Sequence, residues 1–205
     1  MQSIHDLLSQ IADAFLAPTL LATLLAFVYG TFLVGQFLAA AADRRLNLAS
    51  WRKLSAEAYS LSAFRELPWK GHMARFAFAT GRLPDAPELV EKEVADMEHE
   101  MTAHVDRLGV VSKVGPMLGL IGTLIPLKPA LAGLARGDMQ AMGANLEIGF
   151  TTTVVGLLVG GSAYAISAAY RNWHQQEVTN IHFLLDQWNS KEGRREETPA
   201  LAAIR

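Results

Sequence analysis

Residues 110–170 read VVSKVGPMLGLIGTLIPLKPALAGLA (110–135), RGDMQAMGAN (136–145) and LEIGFTTTVVGLLVGGSAYAISAAY (146–170). Two apolar segments of membrane-spanning length lie on either side of a short polar link. Each carries Gly and Thr at helical spacing and little else that is polar. Such a pattern makes a pair of antiparallel helices, and the remaining sequence is arranged around it.

Working outward, hydrophobic residues make up 51% of the 205-residue chain and charged residues 19%, and their clustering decides the class. Charges nearly vanish from 18–42, 114–135 and 148–170 and crowd into 43–109 and 171–205. This is the distribution of a membrane protein with soluble extensions. The run 18–42, PTLLATLLAFVYGTFLVGQFLAAAA, has no charge and ends at Asp43, Arg44 and Arg45. At about 1.5 Å per residue it exceeds the roughly 30 Å hydrocarbon core, which makes it the first transmembrane helix. Ahead of it, Ile4, Leu7, Leu8, Ile11 and Phe15 recur at helical spacing in 1–17, as expected of an amphipathic interfacial helix. The first seventeen residues hold no Lys or Arg, unlike a signal peptide.

Segment 43–109 reads as a helical domain. One helix is expected over 50–66, broken by Leu67, Pro68 and Trp69, and a second over 70–81. A third starts near Asp85, where Asp85 and Glu88 have capping-box spacing and Pro87 suits a first turn. Val90, Val94, Met97, Met101, Val105 and Leu108 then recur every three or four residues, so this third helix should run on into the second membrane segment. His99 and His104 stand near acids on it. They are five apart, about 140° around the axis, which places them on a solvated face and not as a pair of metal ligands. Beyond Tyr170, the residues Val178, Ile181, Leu184, Leu185 and Trp188 keep the helical rhythm to about 190, and 191–205 reads as a flexible tail. The fold expected is therefore an all-α integral membrane protein with three transmembrane helices, 18–42, 110–135 and 146–170, two of them extended into a cytoplasmic helical bundle.

Basic residues set the orientation. Segment 43–109 holds ten Lys and Arg and 171–205 holds five, whereas 1–17 holds none and the link 136–145 only Arg136. The positive-inside rule puts the N-terminus and link outside and the large loop and C-terminus inside.

Within the hairpin, Thr123 lies fifteen residues before Asp138 and Thr153 fifteen after. A turn at Asp138 brings both hydroxyls to one level inside the membrane. Gly115, Gly119, Thr123 and Pro126 make one small-residue stripe on the second segment, with Gly122 also on its packing face, and Gly149, Thr153, Gly156, Gly160 and Ala163 make another on the third, with the Thr152 hydroxyl next to that of Thr153. Small residues at this spacing allow close helix approach, and a Thr hydroxyl can bond its own helix backbone. The same hydroxyls can hydrate an ion path or meet a partner's carboxylate. Lys128 and Glu147 also fall at similar depth. Either one alone would cost about 2.5–3.5 kcal/mol near the centre, so they are expected to pair or to reach the outer interface. With no Cys, no His in the spans and no paired acids there, neither a thiolate centre, a metal site nor an enzyme is expected.

The run Gly115-Pro116-Met117-Leu118-Gly119-Leu120-Ile121-Gly122-Thr123 resembles the APxLGLLGT signature of the MotA/TolQ/ExbB proton-channel family. Thr152-Thr153-Val154-Val155-Gly156-Leu157 resembles its TTAxGL signature, and the three-span layout is similar throughout. The resemblance implies a subunit of an ion-driven motor in the bacterial inner membrane, without cofactor, moving H+ or Na+. It implies a homopentamer around single-span partner helices resembling ExbD or TolR, which supply the membrane Asp. Thr123 and Thr153 match the family's polar pore residues. Pro126, Lys128 and Pro129 depart from the best-known branches, and Glu147 stands one residue from the acidic position often found before the third-helix motif. A passive scaffold or transporter subunit, in which the Gly and Thr stripes only pack helices, is the competing expectation.

Overall fold

The computed structural model describes Ile4, Leu7, Gln10, Ile11 and residues 14–56, 61–82 and 86–202. Every element among them is a helix: α1 (Leu16–Ala56), α2 (Leu61–Glu66), α3 (Gly71–Arg82), α4 (Pro87–Ala135) and α5 (Met139–Ala202). The start at Asp85 and most of the 1–17 stretch lie outside the described residues.

Three helices are long and apolar enough to cross a membrane, α1, α4 and α5. All three run well past their apolar runs. α4 is continuous from Pro87, as the Val90–Leu108 periodicity requires. α1 continues through Asp43, Arg44 and Arg45 to Ala56, so a third membrane helix also carries a polar extension. Those charges end the apolar run without ending the helix, because Arg, Leu, Lys and Ala all hold helical backbone well. Of the helix expected over 50–66, residues 50–56 belong to α1 and 61–66 to α2, and 57–60 lie outside the described residues. α5 continues to Ala202, through most of the stretch read as a flexible tail.

The chain divides into two compact units. An apolar unit comprises 1–37 and 106–168, and a charged unit comprises 38–105 and 169–205. In the apolar unit α4 turns into α5 within three residues, 136–138, so 139–145 of the expected link is helical. Asp138 N–H donates to Gly133 O (2.9 Å) and Gly137 N–H to Leu134 O (3.0 Å). This is a Schellman cap, and it needs a left-handed residue, which Gly137 provides at φ 73°. Asp138 then caps α5 by accepting from Ala141 N–H at 2.9 Å. α1 joins this unit with Gly30 against Val159 of α5; a Cβ on Gly30 would lie 3.3 Å from that side chain.

In the charged unit the core gathers Leu54 of α1, Phe64 of α2, Met73 and Phe76 of α3, Val90, Val94, Met97 and Met101 of α4, and Ile181, Leu184 and Leu185 of α5. Each large side chain fully buried here contributes about 1.5–3 kcal/mol. Outside that core, Arg75 bridges Glu93 (2.5 Å) and Glu100 (2.8 Å), and both carboxylates raise its affinity for its proton, Glu100 more than Glu93.

Candidate functional site: the α4–α5 seam

The seam between α4 and α5 is built from missing side chains. A Cβ on Gly115 would lie 2.9 Å from Gly156 O and from Gly160 N, and one on Gly156 would lie 2.6 Å from Gly115 O. A Cβ on Gly119 would meet Thr153 Cα at 3.1 Å, and one on Gly149 would meet Thr123 Cγ2 at 3.2 Å. At Gly122 it would strike Thr152 Oγ1 at 2.6 Å. At Gly160 it would strike Pro116 Cδ and come within 3.0 Å of Ser112 O. That last contact has a cause in the chain: Pro116 has no N–H, so the Ser112 carbonyl loses its usual helical donor exactly one turn earlier, and Gly160 is the residue that passes over it. All six glycines of the expected packing faces therefore lie in the contact itself.

The three threonines fall into two environments. Thr152 is buried, and its hydroxyl donates to Gly149 O (2.9 Å) one turn back on its own helix. Thr153 and Thr123 meet across the seam with Oγ1 atoms 3.1 Å apart, both half-buried. Thr153 Oγ1 also donates to Gly119 O on α4 (3.2 Å). Thr123 Oγ1 reaches Gly119 O (3.0 Å) and Leu120 O (2.9 Å) on its own helix. Two hydroxyl protons are thus shared among Gly119 O, Leu120 O and the contact between the two hydroxyl oxygens. The oxygens keep lone pairs that can accept from a carboxylic acid or touch a small cation. No carboxylate occurs in 114–135 or 148–170 to trade protons with them.

Lys128 and Glu147 are both exposed on this chain. His104, expected on a solvated face, instead sets its ring edge-on against Tyr170 at 4.8 Å, whereas His99 is exposed. Among the described residues no three His, Asp or Glu side chains gather as a metal would require.

Comparison with known families places this geometry. The model of the MotA/TolQ/ExbB proton channel family matches residues 73–182, more than half of the chain. The chain belongs to the MotA/TolQ/ExbB proton channel family. The match takes in nearly all of α3, all of α4 and α5 as far as His182, and so includes the whole seam. A comparison with curated proteins found no match. As a member of a channel and transport family, this MotA/TolQ/ExbB protein is a multi-pass membrane subunit of the ion-driven channel type.

Proposed function

We propose that this protein is the ring-forming subunit of a motor that conducts H+ or Na+ past Thr123 and Thr153 and passes the work to a single-span partner. The observation that carries this reading is the pair of seam hydroxyls at 3.1 Å between two stretches, 114–135 and 148–170, that hold no carboxylate. Such a site can solvate an ion or a protonated acid but cannot relay protons alone. The titrating group must come from elsewhere, and a membrane Asp on a helix resembling ExbD or TolR supplies it. The subunits, five in number, surround that helix in a bacterial inner membrane, N-terminus out and C-terminus in. One elementary charge crossing the membrane releases about 2.3 kcal/mol per 100 mV, enough to bias a rotation step.

A second reading has its own observation. Thr123 already bonds the carbonyls of its own helix, as a packing threonine does. On that reading the chain is a scaffold and its hydroxyls only tie α4 to α5. Ion flux into vesicles carrying the complex with its partner separates the two. Thr153→Val keeps the side-chain shape and removes the hydroxyl. The conducting reading expects a loss of flux per assembled complex of tenfold or more. Unchanged flux per complex removes Thr153 from the pathway and leaves the scaffold. Co-purification adds an independent arm, since the motor requires a stable complex with a single-span protein bearing an Asp within its helix.

A further inference from the structure

The charged unit holds a cluster of imidazoles that ion conduction does not use. His72 of α3, His104 of α4 and His174 of α5 converge around Tyr170 and Glu177. The His174 ring stands edge-on to His72 at 6.1 Å between centroids and leans on Tyr170 at 5.4 Å, which in turn meets His104 at 4.8 Å. The Nδ1 atom of His174 is shut off from solvent and has no hydrogen-bond partner among the described residues. An orphaned ring nitrogen of this kind is costly to keep and calls for an explanation.

The charged groups around it come from every helix that reaches the cluster. From α5, Glu177 places Oε2 3.7 Å from His72 Nδ1. From α1, Arg44 lies over the Trp173 ring at 5.0 Å and bonds Gln176. On α3, Arg75 is committed to Glu93 and Glu100 of α4, and Glu98 of α4 is committed to His182. Burial first, then His72 and His104, lower the His174 pKa from the ordinary 6.5 to about 4, against the opposing pull of Glu177 and the Met101 carbonyl. The ring is therefore uncharged at neutral pH. A proton added to it places a cation beside two other imidazoles in a half-buried site, with only Glu177 and the Met101 carbonyl to favour it.

We infer that this cluster is an acid-operated release, in which protonation of His174 frees α5 from α3 and α4 within the charged unit. The sign follows from linkage. Above pH 6.5 the ring is neutral whether packed or open, and the packed form is at full stability. Between 6.5 and about 4 the open form binds a proton that the packed form refuses, so opening gains up to roughly tenfold per pH unit as pH falls. The inference stands apart from the ion-pathway reading. If both hold, the release senses protons that accumulate on the side of the membrane where the charged unit lies.

Hydrogen exchange on the full chain in detergent tests it, read by mass spectrometry from pH 7.5 to 5 and corrected for intrinsic rates. Peptides covering α3 and residues 171–185 should lose protection as pH falls, while those covering 148–165 hold theirs. His174→Phe keeps the aromatic bulk without a titrating nitrogen and should flatten the response. An equal pH slope in wild type and His174→Phe overturns the release. Should that variant fail to fold, NMR of labelled imidazoles in the wild type decides. His174 titrating near 6.5 with α5 unaffected overturns the inference. Titration well below 6.5 together with loss of α5 protection supports it.

Discussion

At Gly156 a single methyl group has no room. Its Cβ would lie 2.6 Å from Gly115 O and 2.8 Å from Gly119 Cα, backbone atoms that cannot swing aside. At Gly161, five residues on, a Cβ would meet nothing within 4 Å. Gly156→Ala should therefore destabilise the hairpin by about 1–3 kcal/mol through overpacking, while Gly161→Ala should be neutral or gain up to about 1 kcal/mol of helix propensity. Denaturation of the detergent-solubilised protein measures both, and equal midpoints would refute the close-contact seam. Thr153→Val should cost about 0.6–2 kcal/mol for the lost bond to Gly119 O, readable in the same titration apart from any effect on flux. The shared level of Thr123 and Thr153 could be read from the chain because both helices rise equally per residue from the turn. The separate environments of Thr152 and Thr153 could not. The two residues differ by 100° of helix rotation, which is fixed by Thr152 lying against Gly122 and by Thr153 bonding Gly119 O and meeting Thr123. The His174 cluster was equally hidden, since its three rings come from α3, α4 and α5 and share no local spacing.

Among the elements, those with a chemical stop signal were legible and those without were not. Pro87 opens α4, and Leu67–Trp69 marks the break before α3. By contrast, the passage of α1 through Asp43–Arg45 was not, because hydropathy reports where lipid ends and backbone hydrogen bonding is indifferent to it. That extension has a task in the structure. Asn47 accepts from Lys70 N–H (2.9 Å) and donates to Lys70 O (3.1 Å), and Ser50 donates to Pro68 O (3.1 Å). Trp69 closes the break from the other side by donating its ring N–H to Phe64 O (2.7 Å). Gly71 then takes the left-handed φ of 61° that starts α3. Side-chain clamps on a loop leave no periodic trace in sequence. Asn47→Ala removes two bonds at once and should cost about 1–2 kcal/mol, with faster amide exchange at Lys70 and Gly71. Leu48→Ala, at an exposed neighbouring position, is the control. If both variants exchange alike, Asn47 does not hold the break.

For the whole molecule, the question is which solvent each unit meets, and equally exposed leucines answer it. Leu157 of the apolar unit is 56% exposed and Leu89 of the charged unit 53%. In water the two would tolerate Lys alike, since an exposed substitution usually changes stability by about 0.5 kcal/mol or less. Leu157 lies near the middle of 146–170, too far from either end for a Lys side chain to reach the interface easily. Lys there should cost roughly 2.5–3.5 kcal/mol on insertion scales. The penalty holds whether lipid or another copy of the chain covers Leu157, because both surroundings are apolar, so the result does not hinge on the number of subunits. Leu157→Lys should sharply reduce the protein recovered in membranes after alkaline extraction, while Leu89→Lys should match wild type. Leu124, 58% exposed on the facing helix, should behave as Leu157 does, and Leu46, 54% exposed on the α1 extension, as Leu89 does. Four substitutions of one chemistry at one exposure then divide by unit alone. A graded or uniform loss would mean that the boundary between lipid and water does not follow the division between the two units.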